Sequence, residues 1–316
     1  MEQIIRGLSN EAYHHEAPYS EYLSSSQLKV MAVSPKAFKF ALDHPKHQTD
    51  AKRLGSLFHD LMACSAEHYD NGTEAVAQWL RGIAVFEPPV NEKTGAPYGT
   101  ATKAYKEAYE AFLQANEDKT IASRDELSQV QEMQRAVLLD CGATSEQVRK
   151  LLKWGKPEVS IFYETEDGIK LKARPDLLTK SKIIDWKSTT LDDLTEESIN
   201  RTILHYGYHI SCAMYQWLCK QVLGKWLDFY LIFIQKQEPH DCIMVDMKWY
   251  GYQYLSDVDM VVPGPGAVEF QRLLDLYKKC KQSDEWPGAE SFISGDKYRI
   301  MEIEPPKYLT NKYLDE

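Results

Sequence analysis

The sequence predicts an α+β fold of the α/β/α type, in which a mixed central β-sheet is flanked by helices. Short runs rich in β-branched and aromatic residues occupy 158–189 and return at 226–250, as is typical of strands. Apolar residues at helical spacing fill most of the chain before, between and after these runs. We therefore expect one domain in the 316 residues, with an N-terminal helical arm over 1–50, a core over 51–285 and a C-terminal tail over 286–316.

The first predicted elements are helices. The stretch SSSQLKVMAVSPKAFKFALDH predicts a helix capped by a serine from Ser24 to Ser26, a break before Pro35 and a second short helix. Another helix is predicted over KRLGSLFHDLMACSAEHY, whose apolar stripe places His59 beside the core. The segment 82–99 contains three prolines and three glycines and predicts a loop, and helices are expected again from about 101 to 153.

The strands are predicted next. The runs EVSIFYET, IKLKARPDLLT and KIIDWKS, divided by the turns EDG and TKSK, predict an antiparallel meander. The following segment predicts helices that are interrupted near Gly207 and ended by Gly224, since glycine is favoured just past a helix end. Two more strands, WLDFYLIFIQK and CIMVDMKWY, precede a long helix from about 265 to 282.

Composition narrows the class of protein. The formal net charge of −10 argues against a protein that coats nucleic acid by bulk electrostatics, although an acidic chain can still contain a locally basic channel. The six cysteines form no C-x-x-C pair, which argues against a zinc ribbon or an iron-sulfur site and predicts reduced thiols. The opening segment turns polar at once and no apolar run approaches the roughly 18 residues that span a bilayer, so we expect a cytoplasmic protein without membrane association.

Charged residues interrupt the predicted meander. Asp185 and Lys187 are two apart in one strand and so share a face, while Trp186 points to the opposite side. Asp176 ends the preceding strand, and hairpin pairing should bring it near Asp185. Glu158, on the first strand of the meander, supplies a third carboxylate. Buried charges are costly unless something pairs them, so a metal ion is a candidate occupant.

These residue types suit the hydrolysis of a phosphodiester. Carboxylates and waters are the ligands that Mg²⁺ or Mn²⁺ prefers, and a neighbouring lysine can orient or help to deprotonate the attacking water and can stabilise charge on the phosphate. The alternative is a set of surface ion pairs, which contribute little. A hydrophobic strand interrupted by charge is not the usual alternation of a solvated face, and this favours a site.

The same residues carry a family resemblance. RPD at 174–176, with DWK beginning nine positions after Asp176, resembles the signature of the PD-(D/E)XK nuclease superfamily. GSLFH resembles the G-x-x-x-H element of the RecB-like and RecE-like branches of this superfamily. EVSIFYE resembles their glutamate strand, and YGYHISCAMY resembles the helix that follows their D-x-K strand. With LSSSQLKVMAVSPKAF, the likeness to the RecE-type phage exonuclease domain covers most of residues 20–235.

The resemblance implies a PD-(D/E)XK nuclease core that degrades one strand of linear double-stranded DNA from 5′ to 3′. It implies dependence on Mg²⁺, for which Mn²⁺ substitutes, a homo-oligomeric ring that engages DNA ends, and a RecT-like single-strand annealing partner. By the same resemblance, His59, Asp176 and Asp185 are metal ligands together with the backbone carbonyl of Trp186. Lys187 serves the attacking water, and Glu158 completes the acidic cluster.

One position departs from the family pattern. Relatives carry glutamine and tyrosine four apart on the helix after the D-x-K strand, whereas this chain has Ser211 and Tyr215. Residues four apart share a helix face, but serine cannot make the two-ended contact of an amide, so the positioning of DNA is in question. Tyr208 and His209 are further candidates for DNA contact or for packing. Arg53 is a candidate for a terminal phosphate, because guanidinium binds phosphate bidentately, and solvent exposure is its alternative role.

Two other functions remain open. The first is a catalytically inactive relative that binds DNA ends or a partner protein as a scaffold, since a fold alone does not establish activity. A D176A variant that behaves like the unmodified protein would favour it. The second is an endonuclease of the same superfamily, which would cut a covalently closed circle that an end-dependent enzyme leaves intact.

Overall fold

The structure is a computed structural model that describes residues 3–44 and 50–289. The chain divides into two compact units, one formed by 1–25 and 47–270 and the other by 26–46 and 271–316. Most of the expected C-terminal tail, from 290 onward, lies outside the described residues.

Within the described residues, most of the α-helices begin at a serine, threonine or asparagine cap. Their bounds are α1 Asn10–His15, α2 Ser25–Met31, α3 Pro35–Asp43, α4 Asp50–Glu67, α5 Gly72–Arg81, α6 Lys103–Ala115, α7 Arg124–Arg135, α8 Gly142–Trp154, α9 Glu196–His205, α10 Tyr208–Leu223 and α11 Pro265–Ser283. A 3₁₀ turn at Tyr19–Glu21 and a π turn at Ala136–Asp140 accompany them.

The strands of the described residues form two larger sheets and two small ribbons. Their bounds are β1 Ile4–Ile5, β2 Leu23–Ser24, β3 Ile83–Val85, β4 Thr120–Ala122, β5 Lys156–Pro157, β6 Ser160–Glu164, β7 Lys170–Ala173, β8 Leu177–Leu178, β9 Lys182–Thr189, β10 Asp228–Gln235, β11 Cys242–Asp246, β12 Tyr252–Leu255 and β13 Met260–Pro263. The predicted loop 82–99 thus begins with a strand, and an isolated bridge between Val90 and Pro97 closes its remainder.

The five-stranded sheet has the order β11-β10-β9-β8-β5. Its central strands β9 and β10 are parallel, while β8, β5 and β11 join antiparallel, so the predicted mixed sheet is confirmed. The parallel pair requires a crossover, which α9 and α10 supply. Gly207 between these helices and Gly224 after them adopt left-handed backbone angles of φ +63° and +75°, as the glycine positions predicted.

The predicted single meander is wrong. β6 and β7 form a hairpin in the four-stranded sheet, of order β1-β6-β7-β2, whereas β8 and β9 form a hairpin in the five-stranded sheet. The chain therefore passes from one sheet to the other between Ala173 and Leu177. Pro175 lies in this connection, and because proline has no N–H to donate to a ladder, it favours the end of one strand.

The main core lies where α4 packs near the five-stranded sheet. Leu57, Phe58 and Leu61 of α4 are fully buried together with Ile184 and Trp186 of β9. Each such side chain contributes about 1.5–3 kcal/mol by leaving water. This packing places the helix that carries His59 beside the strand that carries Asp185 and Lys187.

The smaller unit has its own aromatic cluster. Phe38 of α3 stacks on Trp286 with ring centroids 5.6 Å apart and meets the edge of Tyr277 at 5.5 Å. The backbone N–H of Lys36 donates to the carbonyl of Pro287 over 3.0 Å. These contacts join the α3 segment to the C-terminal part of α11 and the residues after it.

Two simpler expectations concern cysteines and membranes. The cysteines were expected to be reduced, buried thiols: all six carry free thiols, four are buried, and Cys64 and Cys141 are only half-buried. Among residues 3–44 and 50–289, no helix is both long enough and apolar enough to cross a membrane.

Candidate active site

Asp176 lies at the connection between the two sheets. Its Oδ2 accepts a hydrogen bond from the backbone N–H of Trp186 over 2.6 Å, and its Oδ1 lies 3.0 Å from Nδ1 of His59. Leu177 pairs with Ile184 in the antiparallel β8–β9 hairpin, so Asp176 and Asp185 are the residues that adjoin this pair at the same end of the hairpin. Burial would raise the pKa of Asp176, but the charge and hydrogen bond of His59, the charge of Lys187 and the Trp186 N–H together outweigh burial and lower the pKa.

His59 comes from the middle of α4, where it faces Asp176 rather than the core stripe. Burial acts to lower the pKa of His59, but the Asp176 carboxylate and its hydrogen bond outweigh this effect and hold the pKa above its ordinary value. The Asp176 carboxylate is buried and His59 is half-buried, and the carboxylate favours the protonated form of the imidazole.

Asp185 and Lys187 share one face of β9, as the alternation of the strand predicted. Nζ of Lys187 contacts the Asp185 carboxylate directly and donates to the carbonyl of Trp186 over 3.1 Å. Burial would lower the pKa of Lys187, but the carboxylates of Asp185 and Asp176 raise it well above its ordinary range. Burial raises the pKa of Asp185, and the charge of Lys187 only partly offsets this. The opposite face of β9 buries Trp186 against Phe58, with ring centroids 6.5 Å apart.

Glu158 was predicted to lie on the first strand of a meander. This prediction is wrong, because Glu158 lies in the turn between β5 and β6. Its backbone adopts φ +50°, a left-handed angle that is uncommon outside glycine, and its N–H donates to the carbonyl of Asp176 over 3.3 Å. The turn still directs the Glu158 carboxylate to the acidic cluster. Burial, with the nearby Asp176 carboxylate, raises its pKa to about 8.

Gly55 explains the spacing of GSLFH. A Cβ at Gly55 would lie 3.2 Å from Oγ of Ser188 in β9, closer than most such contacts. Gly55 thus allows α4 to approach β9 one helical turn before His59. The spacing of Gly55 and His59 is explained in this way, because the close approach of α4 to β9 at Gly55 brings His59 to Asp176.

The comparison of the sequence with protein-family models bears on these residues. The model that matches, over residues 24–292, is described as a PDDEXK-like domain of unknown function (DUF3799). The chain belongs to this family. The predicted PD-(D/E)XK resemblance is therefore confirmed, and the RecE-type specificity stays a prediction.

Solved structures share the fold of this PDDEXK-like domain. One is the crystal structure of a "Putative exonuclease" from Eubacterium rectale, with a TM-score of 0.50 and 15% sequence identity, over 97% of this chain and 98% of that chain. No curated protein was found to match the sequence. At this identity the neighbour shows the fold alone, and the chemistry of the PDDEXK-like domain has to be argued from its own residues.

The donor set suits a hard divalent cation. Three carboxylates, an imidazole and the Trp186 carbonyl belong to the oxygen and nitrogen ligands that such ions accept. In the described part of the chain, however, no three His, Cys, Asp or Glu side chains are grouped so as to hold a metal ion. Asp185 contacts Lys187, while Asp176 accepts from the Trp186 N–H and pairs with His59. The donor atoms are of the kind that a hard divalent cation accepts.

The residues predicted to contact DNA divide into two groups. Tyr208 lies near the site, with Nζ of Lys187 5.1 Å from its ring centre. Tyr215 and Ser211, one turn apart on α10, both hydrogen bond to Ser25, so they share a helix face as predicted. Ser211 is buried, and its hydroxyl oxygen lies 3.2 Å from that of Ser25.

Arg53 and His209 have other partners. Nε and Nη2 of Arg53 donate to one oxygen of Glu126 over 3.0 and 2.7 Å, so binding of a terminal phosphate would compete with this pair. His209 lies with Nδ1 3.4 Å from the carbonyl of Ile203, which favours the packing role.

Sequence reasoning missed two neighbours of the site. Arg174 points to Glu158, with 3.8 Å between Nη1 and Oε2, and its position directly before Pro175 and Asp176 was the available signal. Tyr206 stacks on Tyr208 with ring centroids 5.6 Å apart and a 20° angle between the planes. Tyr206 is 57% exposed, so it presents aromatic surface to solvent beside Tyr208.

Proposed function

We propose that this protein is a Mg²⁺-dependent exodeoxyribonuclease, with Mn²⁺ as a substitute, that degrades one strand of linear double-stranded DNA. The single observation that carries the proposal is the convergence of His59, Asp176, Asp185 and Lys187 where the two sheets meet, in a chain of the PDDEXK-like family. Buried carboxylates with a paired lysine are expensive to maintain for stability alone.

The residues have separable roles in this proposal. His59, Asp176, Asp185 and the carbonyl of Trp186 would hold the ion, with Glu158 beside them. A divalent ion at such a site supplies an acidified water and stabilises charge on the phosphate.

Lys187 acts as a cation in this proposal. Because the neighbouring carboxylates hold its pKa above the ordinary range, Lys187 is protonated at neutral pH. It would therefore stabilise negative charge on the phosphate rather than accept a proton from water. Its bond to the Trp186 carbonyl fixes Nζ on the face of β9 that carries Asp185.

The direction of digestion and the partners belong to the same proposal. The likeness of GSLFH, RPD, DWK and YGYHISCAMY to RecE-type exonucleases supports 5′-to-3′ digestion from a DNA end by a homo-oligomeric ring. It also supports delivery of the remaining strand to a RecT-like annealing protein.

The test is digestion of linear duplex DNA labelled at the 5′ end of one strand, with Mg²⁺ or with EDTA. Closed circular DNA of the same sequence is the second substrate. The variants are K187A and the control K180A, which removes an exposed lysine from the turn between β8 and β9. We expect release of the 5′ label from linear DNA only, dependent on Mg²⁺, retained in K180A and lost in K187A.

The other outcomes identify the alternatives. Cleavage of the closed circle would establish an endonuclease in place of the proposed activity. Binding to DNA ends without cleavage in Mg²⁺ or Mn²⁺ would contradict the proposal and favour the scaffold. Loss of the 3′ label first, in a parallel digest, would reverse the proposed direction while retaining the chemistry.

A further inference from the structure

Three cations line one face of the strand that leads into Asp176. Lys170, Lys172 and Arg174 are two apart and therefore project from the same face of β7 and its extension. All three contact the N-terminal segment, by which we mean residues 3–22. Lys170 pairs with Glu21 over 2.6 Å, and Nζ of Lys172 donates to the carbonyls of Tyr13 and Tyr19 over 2.5 and 2.9 Å.

Arg174 is the cation of this row nearest to the active site, and most of its donors are occupied. Nε donates to Oγ of Ser160 over 2.9 Å, Nη1 to Oδ1 of Asn10 over 2.8 Å and Nη2 to the carbonyl of Leu8 over 3.1 Å. The guanidinium carbon lies 3.9 Å from the centre of the Tyr13 ring. Since the side chain is only 7% exposed, these contacts hold the planar guanidinium in one orientation.

The partners of Arg174 are nearly all neutral. A buried cation whose hydrogen-bond partners are neutral still favours a nearby negative charge, because neutral partners do not cancel its positive charge. The nearby carboxylate is that of Glu158, whose Oε2 lies 3.8 Å from Nη1. The geometry therefore directs the uncompensated charge of Arg174 at Glu158.

Glu158 requires such a partner. Its left-handed backbone, at φ +50°, is a conformation that costs free energy and persists only where the surroundings impose it. Its backbone N–H donates to the carbonyl of Asp176 over 3.3 Å, so the two residues are adjacent. Because 35% of the Glu158 side chain is exposed, the Arg174 guanidinium, 3.8 Å from its Oε2, is the cation that can restrain it.

The N-terminal segment is attached firmly enough to set this geometry. β1 pairs with β6 through Ile4 and Ile5, and the N–H of Phe162 donates to the carbonyl of Gln3 over 2.8 Å. Tyr13 is buried against Phe162, with ring centroids 6.0 Å apart. The segment nevertheless precedes residue 24, where the match to the PDDEXK-like family begins.

We propose that the N-terminal segment and Arg174 together form a positioning element of the nuclease site, which holds the Glu158 carboxylate beside Asp176 for a divalent cation. Arg174 touches neither substrate nor metal and acts through Glu158. The inference rests on the proposed function, because it assigns Glu158 to the metal-binding cluster. It adds that residues outside the family match complete this site.

The experiment measures binding of Mn²⁺ alone to the full chain, by isothermal titration calorimetry without DNA. The variants are R174K, N10A, E158Q and the double variant E158Q/R174K. K170A is the matched control, since it removes a cation of the same strand face that pairs with Glu21 of the same segment, whereas Arg174 faces Glu158. Thermal unfolding of each variant separates an effect on the site from a loss of fold.

We expect R174K to weaken Mn²⁺ binding about tenfold, as is typical when the partner of a metal ligand is lost. N10A should weaken it by a smaller factor, and K170A should bind as the unmodified protein does. The double variant should bind no more weakly than E158Q, because an arginine that acts only through Glu158 has no effect once that carboxylate is gone.

Other results overturn the inference. Unchanged Mn²⁺ affinity in folded R174K, equal weakening in K170A, or additive losses in the double variant would each show that Arg174 has only a structural role. Where R174K does not fold, N10A decides: Mn²⁺ affinity equal to that of the unmodified protein would overturn the inference. A failure of the proposed function is distinct, because then the unmodified protein itself binds no Mn²⁺ and cleaves no DNA, and the inference falls with it.

Discussion

Replacement of Lys187 by methionine removes one charge and little volume. The methionine side chain can follow the path of the lysine stem, which is only 19% exposed, so packing on β9 is retained. The change removes the cation from the Asp185 carboxylate and the donor from the Trp186 carbonyl. Asp185, which is 8% exposed, is then a buried carboxylate without its cation, and the carboxylate of Asp176 is a second negative charge nearby.

The expected cost follows from this geometry. A buried charge that loses its partner destabilises a fold by about 3–5 kcal/mol while it stays ionised. Asp185 can avoid part of this cost by taking up a proton, because burial and Asp176 already raise its pKa above the unfolded value. The folded variant then binds more protons than the unfolded chain, so its stability falls as pH rises through the folded pKa, by up to about 1.4 kcal/mol per pH unit.

The assay is urea denaturation of K187M, K187R and the unmodified protein at about pH 4, close to the pKa of an unfolded aspartate, and at about pH 8, without metal. We expect K187M to be the least stable of the three at the higher pH and to recover part of the difference at the lower pH. K187R retains the charge and should stay close to the unmodified protein. Equal stability of K187M and the unmodified protein at both pH values would refute the reasoning, because Asp185 would then not depend on Lys187.

Four further predictions follow from individual side chains. In the unmodified protein the raised pKa of His59 contributes stability at low pH, which is lost as pH rises through that pKa. In D176N the pKa of His59 should fall and this contribution should disappear, and NMR titration of the imidazole measures the change in pKa. Burial lowers the pKa of Lys172 to about 8, so the unmodified protein should gain stability as pH rises from about 8 toward the unfolded value of about 10.4. K172M should lack this gain when urea denaturation is compared at about pH 8 and about pH 10. S211Q, which restores the glutamine of relatives in a buried position, should destabilise the fold by about 1–3 kcal/mol through overpacking, whereas an unchanged urea midpoint would show that room exists. Y206A should raise the KM for linear duplex about tenfold with a smaller change in kcat, and Y206W should not, if the exposed ring stacks on a DNA base.

Local signals in the sequence were sufficient for most elements. The glycines at 207 and 224 bound α10 because left-handed angles there favour glycine, and the serine and proline signals before α3 reflect capping that is equally local. The shared face of Asp185 and Lys187 follows from the two-residue repeat of any strand. These predictions were confirmed because each depends on neighbours along the chain.

Predictions that depended on pairing between segments were less complete. The runs from 158 to 189 have the composition of strands, but composition does not say which sheet a strand joins, and the chain changes sheets at Pro175. Glu158 was placed on a strand for the same reason, although it occupies a turn with a left-handed backbone. Arg53 has its ion pair with Glu126, which is 73 positions away in the sequence.

The sequence by itself determined the residue types of the candidate site and their order, because spacing within a strand or a helix sets which side chains share a face. Only the tertiary structure decided that His59 meets Asp176 and that the N-terminal segment encloses Arg174. The physical reason is distance along the chain. Contacts between residues more than a hundred positions apart depend on how whole elements pack, and no local pattern encodes that packing.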